Sequence, residues 1–159
     1  MQLLTFTAGG LVYAIAARTV VEVLPTVPVR PVPHLPDDVL GMVAYRGLMI
    51  PVIDLARRLT GAPARALLST RLIIVEIPVA HGREAVPARI GLIAENMVGT
   101  VGSEDAETVF PQMQLEAAPY LGRILRLGGQ TVHMLVVERL LPSGVASGLP
   151  AAAVEPTPP

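Results

Sequence analysis

Apolar residues run along this chain in short pieces of about five to eight positions, rich in Val, Ile and Leu and cut apart by Gly and Pro. Several pieces alternate apolar with polar or small residues, as in Leu4, Phe6 and then Leu11, Tyr13, Ile15, which flank Gly9-Gly10 as the arms of a hairpin. The pattern predicts an all-β protein with strands over Leu3 to Thr7, Leu11 to Ala16, Val20 to Val23, Leu40 to Tyr45, Met49 to Ile53, Arg71 to Ile77, Arg89 to Ala94, Met97 to Val101, Gly122 to Leu127 and Thr131 to Val137. Helix is the exception. Asp54 before LARRLTG can cap a short turn, with Leu55 and Leu59 on one face and Gly61 and Pro63 ending it.

An internal repeat organises these pieces. IPVIDLARRL (Ile50 to Leu59) aligns with VHMLVVERLL (Val132 to Leu141), and upstream Gly41 and Gly47 correspond to Gly122 and Gly128 with one inserted residue. Two similar halves imply two small β-barrels, since closing each sheet removes the edges that short strands would leave exposed. The barrels occupy residues 1–141. From Pro142 to Pro159, PSGVASGLPAAAVEPTPP offers too little side chain to offset its ordering entropy, and a disordered tail is expected.

Composition narrows the function more than the fold. Of the 159 residues 52% are hydrophobic and 16% charged, so much apolar surface must be buried or offered to partners. All 12 basic residues are arginine, they form no dense run, and the net charge is -1, which removes the electrostatic footprint of nucleic-acid binding. The absence of cysteine fits a reducing compartment, and cytoplasm is the expected location. The apolar opening MQLLTFTAGGLVYAIAA lacks a basic leader and reads as hairpin, not as a secretion signal.

Catalytic constellations are missing. His34, His81 and His133 have no second ligand at metal-site spacing and read as surface or loop residues. No serine lies in a nucleophile elbow, no lysine exists for a phosphate loop, and SEDAE (Ser103 to Glu107) reads as a solvated loop. No enzyme, cofactor or metal site is expected.

One interruption stands out within LGMVAYRGLMIPVIDL (Leu40 to Leu55), where Arg46-Gly47 divides two apolar strands. Read structurally, Arg46 ends a strand, its stem covering apolar surface, and Gly47 turns the chain. Read functionally, a planar guanidinium at a strand end can hold a carboxylate and orient a partner. Glu22, alone in the apolar stretch VVEVL, is the candidate counter-charge, and its plainer reading is the outward residue of an edge strand.

Phe6, YAI (Tyr13 to Ile15), V-x-E-V (Val20 to Val23), LP (Leu35-Pro36), G-x4-RG (Gly41 to Gly47), IPVIDL (Ile50 to Leu55), RLIIV (Arg71 to Val75) and GLIAE (Gly91 to Glu95) together resemble the CheW-like domain of bacterial chemosensory systems across nearly all of residues 1–141. The resemblance implies two intertwined five-stranded SH3-like β-barrels with one or two short helical turns, and a non-enzymatic adaptor that couples the cytoplasmic tip of methyl-accepting chemoreceptors to the regulatory domain of a CheA-type histidine kinase. It implies a cytoplasmic location at membrane receptor arrays. Carried over by motif, Gly41, Tyr45, Arg46 and Gly47 lie in the receptor-binding region, with Glu22 as charge partner and Val20 nearby. Receptor would enter an apolar groove between the barrels, and kinase contact would use exposed apolar residues of the first barrel.

Ala44 stands where the family has Asn, Glu95 where it has Asp, and His133 and Val136 where the second half would carry Pro and Asp. YRG, LSTR (Leu68 to Arg71), GLIAE and the closing LLP resemble the adaptors of surface-sensing systems whose output is a diguanylate cyclase. Other readings of the residues are an SH3-like structural or ligand-binding module unrelated to chemotaxis, such as a ribosome-associated barrel, for which the basic surface is missing, or a transport-associated one, and a coupling variant with phosphotransfer chemistry of its own.

Overall fold

The computed structural model describes residues 1–111 and 114–141. Its strands are β1 (Gln2–Ala8), β2 (Leu11–Ala16), β3 (Val20–Pro25), β4 (Val39–Tyr45), β5 (Leu48–Asp54), β6 (Arg71–His81), β7 (Glu84–Gly102), β8 (Glu107–Phe110), β9 (Leu121–Leu127) and β10 (Gln130–Leu135), with one α-helix, α1 (Leu55–Thr60). Asp54 caps α1 as expected, accepting from Arg57 N at 3.2 Å, and Gly61 ends it in the left-handed region at φ 81°. The expected tail, 142–159, lies outside the described residues.

Pairing arranges the strands in two groups that share β7. One runs β4-β5-β7-β6-β3, the other β9-β10-β2-β1-β7 with β8 on the far edge of β9. The groups are built alike, because in each a strand from the repeated segment pairs in parallel with a hairpin, β5 with β7 and β10 with β2. They are not sequential halves. The N-terminal hairpin β1–β2 belongs to the group built from C-terminal strands, after which the chain crosses as β3 into the other. The hairpin β6–β7 stands in the first group, and the far end of β7 crosses back to pair with β1. Intertwining is thus observed.

Closure is not. The hydrogen-bonded ladders leave β3 and β4 at the two ends of the first group and β8 at an end of the second, so the barrels curl without sealing. Three other expectations change. The strands expected over Arg89 to Ala94 and Met97 to Val101 are parts of the single 19-residue β7, which turns past Asn96 at φ 49°, where the β1 ladder shifts register. The acidic loop gives way to β8 at Glu107, a strand too exposed to show an apolar alternation. The strand expected to reach Val137 stops at Leu135, and Val137–Arg139 form a helical turn that matches α1 in the repeat.

Alternation along the strands separates three cores. Leu72 and Ile74 of β6 face inside the first barrel with Val43, Tyr45, Ile50, Val52 and Ile93. Ile73, Val75 and Ile77 face the other way, into a larger layer between the barrels that includes Leu4, Phe6, Ile15, Ile53, Leu55, Ile90, Leu92 and Val137. A third cluster of Leu3, Ala14, Leu125, Val132 and Met134 fills the second barrel. Strands buried on both faces read as continuous apolar runs, which is why β5, β6 and β7 lack a polar face in the sequence. The groove expected between the barrels is therefore filled by the protein's own side chains, and at its rim Val20, Val23 and Met97 are partly buried.

Candidate functional site

Arg46 and Gly47 form the two-residue turn of the β4–β5 hairpin, with Tyr45 paired to Leu48 across it. Both turn residues have positive φ, 46° and 80°, the signature of the primed turn whose twist matches that of the flanking strands. Glycine accepts that conformation freely. An L-residue there costs roughly 1–2 kcal/mol, and Asn or Asp is the usual occupant. The hairpin thus gives up local stability to place an arginine at its tip, a choice of the kind that clusters at working surfaces.

The arginine folds back toward its own strand. Its guanidinium carbon lies 5.2 Å from the centre of the Tyr45 ring, within cation–π range, and Nη2 is 3.6 Å from Glu22 Oε2. The Tyr45 hydroxyl donates a short hydrogen bond to that same carboxylate oxygen. Glu22 sits on β3 and Tyr45 on β4, the two unpaired ends of the first barrel, so this side-chain cluster spans the seam that no ladder closes. Burial and the Glu22 carboxylate push the Tyr45 hydroxyl above its ordinary value of 10.0, while Arg46 and Arg89 pull it back down. The hydroxyl stays protonated at neutral pH and keeps its donor role.

The Arg46 and Glu22 side chains are 50% and 40% exposed, which makes this a solvent-screened pair worth under about 1 kcal/mol to the fold. The structure brings together Glu22, Tyr45, Arg46 and Gly47. Val20 lies at the rim of the inter-barrel layer and pairs with Val75, so it is a neighbour of the cluster and not a member. Gly41 has another task. At φ 147° its missing Cβ would lie 2.0 Å from the Arg30 carbonyl oxygen, and the gap lets Arg30 pair with Met42 through two backbone hydrogen bonds of 2.8 Å. Gly41 thereby straps the Pro-rich segment to β4.

Two residues that the sequence reading passed over join the cluster. Arg89 of β7 reaches the Tyr45 ring at 5.9 Å, and its Nε lies 3.5 Å from Oε2 of Glu76 on β6. The available signal was register: Glu76 follows Leu72 and Ile74 on the inward face, and Arg89 precedes Ile93 on the inward face of its own strand. A charge in an apolar series marks the end of the core.

His133 corrects the expectation of a surface or loop residue. It lies on β10, its ring stacked on Tyr13 at 5.9 Å and 14°, with Nε2 3.1 Å from the Gly122 carbonyl oxygen. Burial lowers its pKa, partly offset by that carbonyl. His34 and His81 are exposed, as expected. Among the described residues no group of three or more His, Cys, Asp or Glu could hold a metal ion, and no helix is long and apolar enough to cross a membrane.

Two intertwined half-closed barrels carrying an exposed charged cluster at a strand-end seam define a paired-barrel β module. The CheW-like domain family matches residues 2–145, and the chain belongs to that family. It is 29% identical over 139 residues to the protein FrzA of Myxococcus xanthus, covering 86% of this chain and 82% of that protein. It is 30% identical over 76 residues to a probable chemotaxis protein CheW of Rhizobium etli, a match that spans 48% of this chain and 49% of the relative. The crystal structure of the scaffolding protein TtCheW from Thermoanaerobacter tengcongensis shares the fold, with a TM-score of 0.71, 23% identity and coverage of 94% and 93% of the two chains.

Proposed function

We propose that the chain is a non-enzymatic adaptor that couples methyl-accepting chemoreceptors to a CheA-type histidine kinase on the cytoplasmic side of membrane receptor arrays. The CheW-like family carries the general role, and the observation that supports the docking site is Arg46, held in a left-handed turn conformation, half exposed and paired with Glu22. In this reading the receptor's helical tip lies against the rim of the inter-barrel layer beside Val20. Apolar burial there supplies most of the affinity, at about 25 cal/mol per Å², and Arg46 exchanges its Glu22 contact for a receptor acceptor to set orientation. Glu22, Tyr45 and Gly47 hold the arginine in place, and Gly41 holds the strap behind it. The adaptor unit is residues 1–141. YRG, LSTR, GLIAE and LLP favour a surface-sensing output, which the cyclic-di-GMP level of a deletion strain tests.

Arg46→Glu tests the docking reading. The variant should lose pull-down by a purified hairpin-tip fragment of a methyl-accepting receptor while keeping its β-type circular dichroism. Normal binding by the folded variant would end the reading. Reconstitution of receptor fragment and kinase, with and without the chain, should show autophosphorylation that depends on the adaptor.

A further inference from the structure

The first barrel's inward register ends in charge. Leu72 and Ile74 on β6 are followed on the same face by Glu76, and Arg89 on β7 sits on the inward face with Ile93 and is paired across the ladder to Glu76. Arg89 is the less exposed of the two, at 12% against 42% for Glu76. Its Nε lies 3.5 Å from Glu76 Oε2, an ion pair across the ladder. What the guanidinium also faces is the ring of Tyr45, at 5.9 Å, which Arg46 approaches as well, at 5.2 Å.

These contacts form one chain of dependence. The Tyr45 ring is buried, its hydroxyl bonds Glu22, and Glu22 carries a carboxylate paired with Arg46. Moving the ring moves the hydroxyl, and with it the acceptor that holds Arg46 toward β3. Taken alone, the Arg46 pair is too exposed to fix the direction of a flexible side chain. A planar cation lodged against the ring from the β7 side limits the positions that Tyr45 can take.

We infer that Arg89 is a positioning residue of the receptor-docking site, acting through the Tyr45 ring and Glu22 to preset Arg46 for an acceptor on the partner's helical tip. This rests on the docking reading of Arg46. The ion-pair partner Glu76, the more exposed of the two, supports Arg89 from the solvent side. Preorganisation of this kind raises affinity by removing the cost of ordering the arginine on binding, without any contact between Arg89 and the partner.

The test is a double-mutant cycle on the full chain, using Arg46→Gln, Arg89→Met and the double variant, with affinity measured by calorimetry against the same receptor hairpin-tip fragment. Methionine keeps an unbranched apolar stem in the barrel mouth and removes only the cation. Arg89→Met should weaken binding roughly three- to tenfold, within the range seen for residues that modulate a site without touching its ligand. The double variant should bind no worse than Arg46→Gln alone, because the two act in series. As a readout that mere destabilisation would not move, the Tyr45 titration, followed by NMR of ring-labelled tyrosine, should shift upward in Arg89→Met, since the nearby cation holds it down. If Arg89→Met does not fold, Arg89→Lys is taken through the same cycle; it keeps the charge but loses the flat face and should lie between wild type and Met. Purely additive effects, or unchanged affinity in the Arg89 variant while Arg46→Glu abolishes binding, would overturn the inference alone. Normal binding by Arg46→Glu would overturn the docking reading and this inference with it.

Discussion

Replacing Glu95 by alanine should loosen the connection between α1 and β6 and lower the melting temperature by a worked amount. Glu95 is buried at the point where β7 passes this connection, and its two oxygens accept from Arg65 N at 2.6 Å, Arg65 Nε at 3.2 Å and Arg65 Nη2 at 3.1 Å. The Arg65 side chain is 67% exposed, so its forked contact is screened and contributes about 0.5 kcal/mol. The backbone bond differs, because a short hydrogen bond to a buried carboxylate contributes about 1.5–3 kcal/mol. Together the loss is about 2–3.5 kcal/mol. At about 2–4 °C per kcal/mol for a chain of this length, the melting temperature should fall by roughly 4–14 °C.

Glu95→Gln keeps an acceptor for the Arg65 amide but not its charge, and should cost about half as much, since charge-assisted hydrogen bonds are roughly twice as strong as neutral ones. Calorimetric melting gives both numbers. Limited trypsin digestion supplies a local reading, since freeing the Arg65 backbone should speed cleavage between Arg65 and Ala66, mapped by mass spectrometry. A Glu95→Ala protein that melts within about 1 °C of wild type and is cut no faster at that bond would refute the assignment of the clamp.

Gly41→Ala should destabilise by more than about 3 kcal/mol, because its Cβ would lie 2.0 Å from the Arg30 carbonyl oxygen at a backbone conformation L-residues avoid, and the melting curve or loss of soluble expression reads the outcome. Asp54→Ala removes the α1 cap and the acceptor for Ala64 N at 2.9 Å, and should cost about 2 kcal/mol in urea unfolding at unchanged m-value. His133 makes stability depend on pH. Burial lowers its folded pKa below the ordinary 6.5, so the unfolded chain takes up a proton that the folded chain refuses; the contribution is fully present above about pH 6.5 and declines as pH falls below it. His133→Gln should flatten the denaturation midpoint between about pH 6.5 and 5, and an unchanged slope there would remove His133 as its cause.

The candidate site was half legible before folding. Arg46-Gly47 and the lone Glu22 stood out because charge in an apolar run is visible locally, and the turn chemistry of a residue before glycine gave the hairpin its place. Tyr45 was marked through its motif, but its hydrogen bond to a residue 23 positions away depends on how β3 and β4 approach each other. Arg89 and Glu76 went unnoticed for a related reason. Each lies in a strand whose two faces are both buried, so the alternation that would flag them as inward charges is hidden by apolar neighbours on either side.

Most strand positions, the hairpin turns at Gly9-Gly10 and Arg46-Gly47, the capped helical turn at Asp54 and the repeat joining Ile50–Leu59 to Val132–Leu141 were determined by the chain itself, since each depends on contacts within a few residues or on self-similarity. Which barrel receives which hairpin was decided in three dimensions. Two sheets of short apolar strands can bury their outer faces only against each other, and exchanging the strands that follow each hairpin ties that shared layer into one core. The same exchange leaves β3 and β4 unpaired at a seam, and side chains, not the backbone ladder, span it where Arg46 meets solvent.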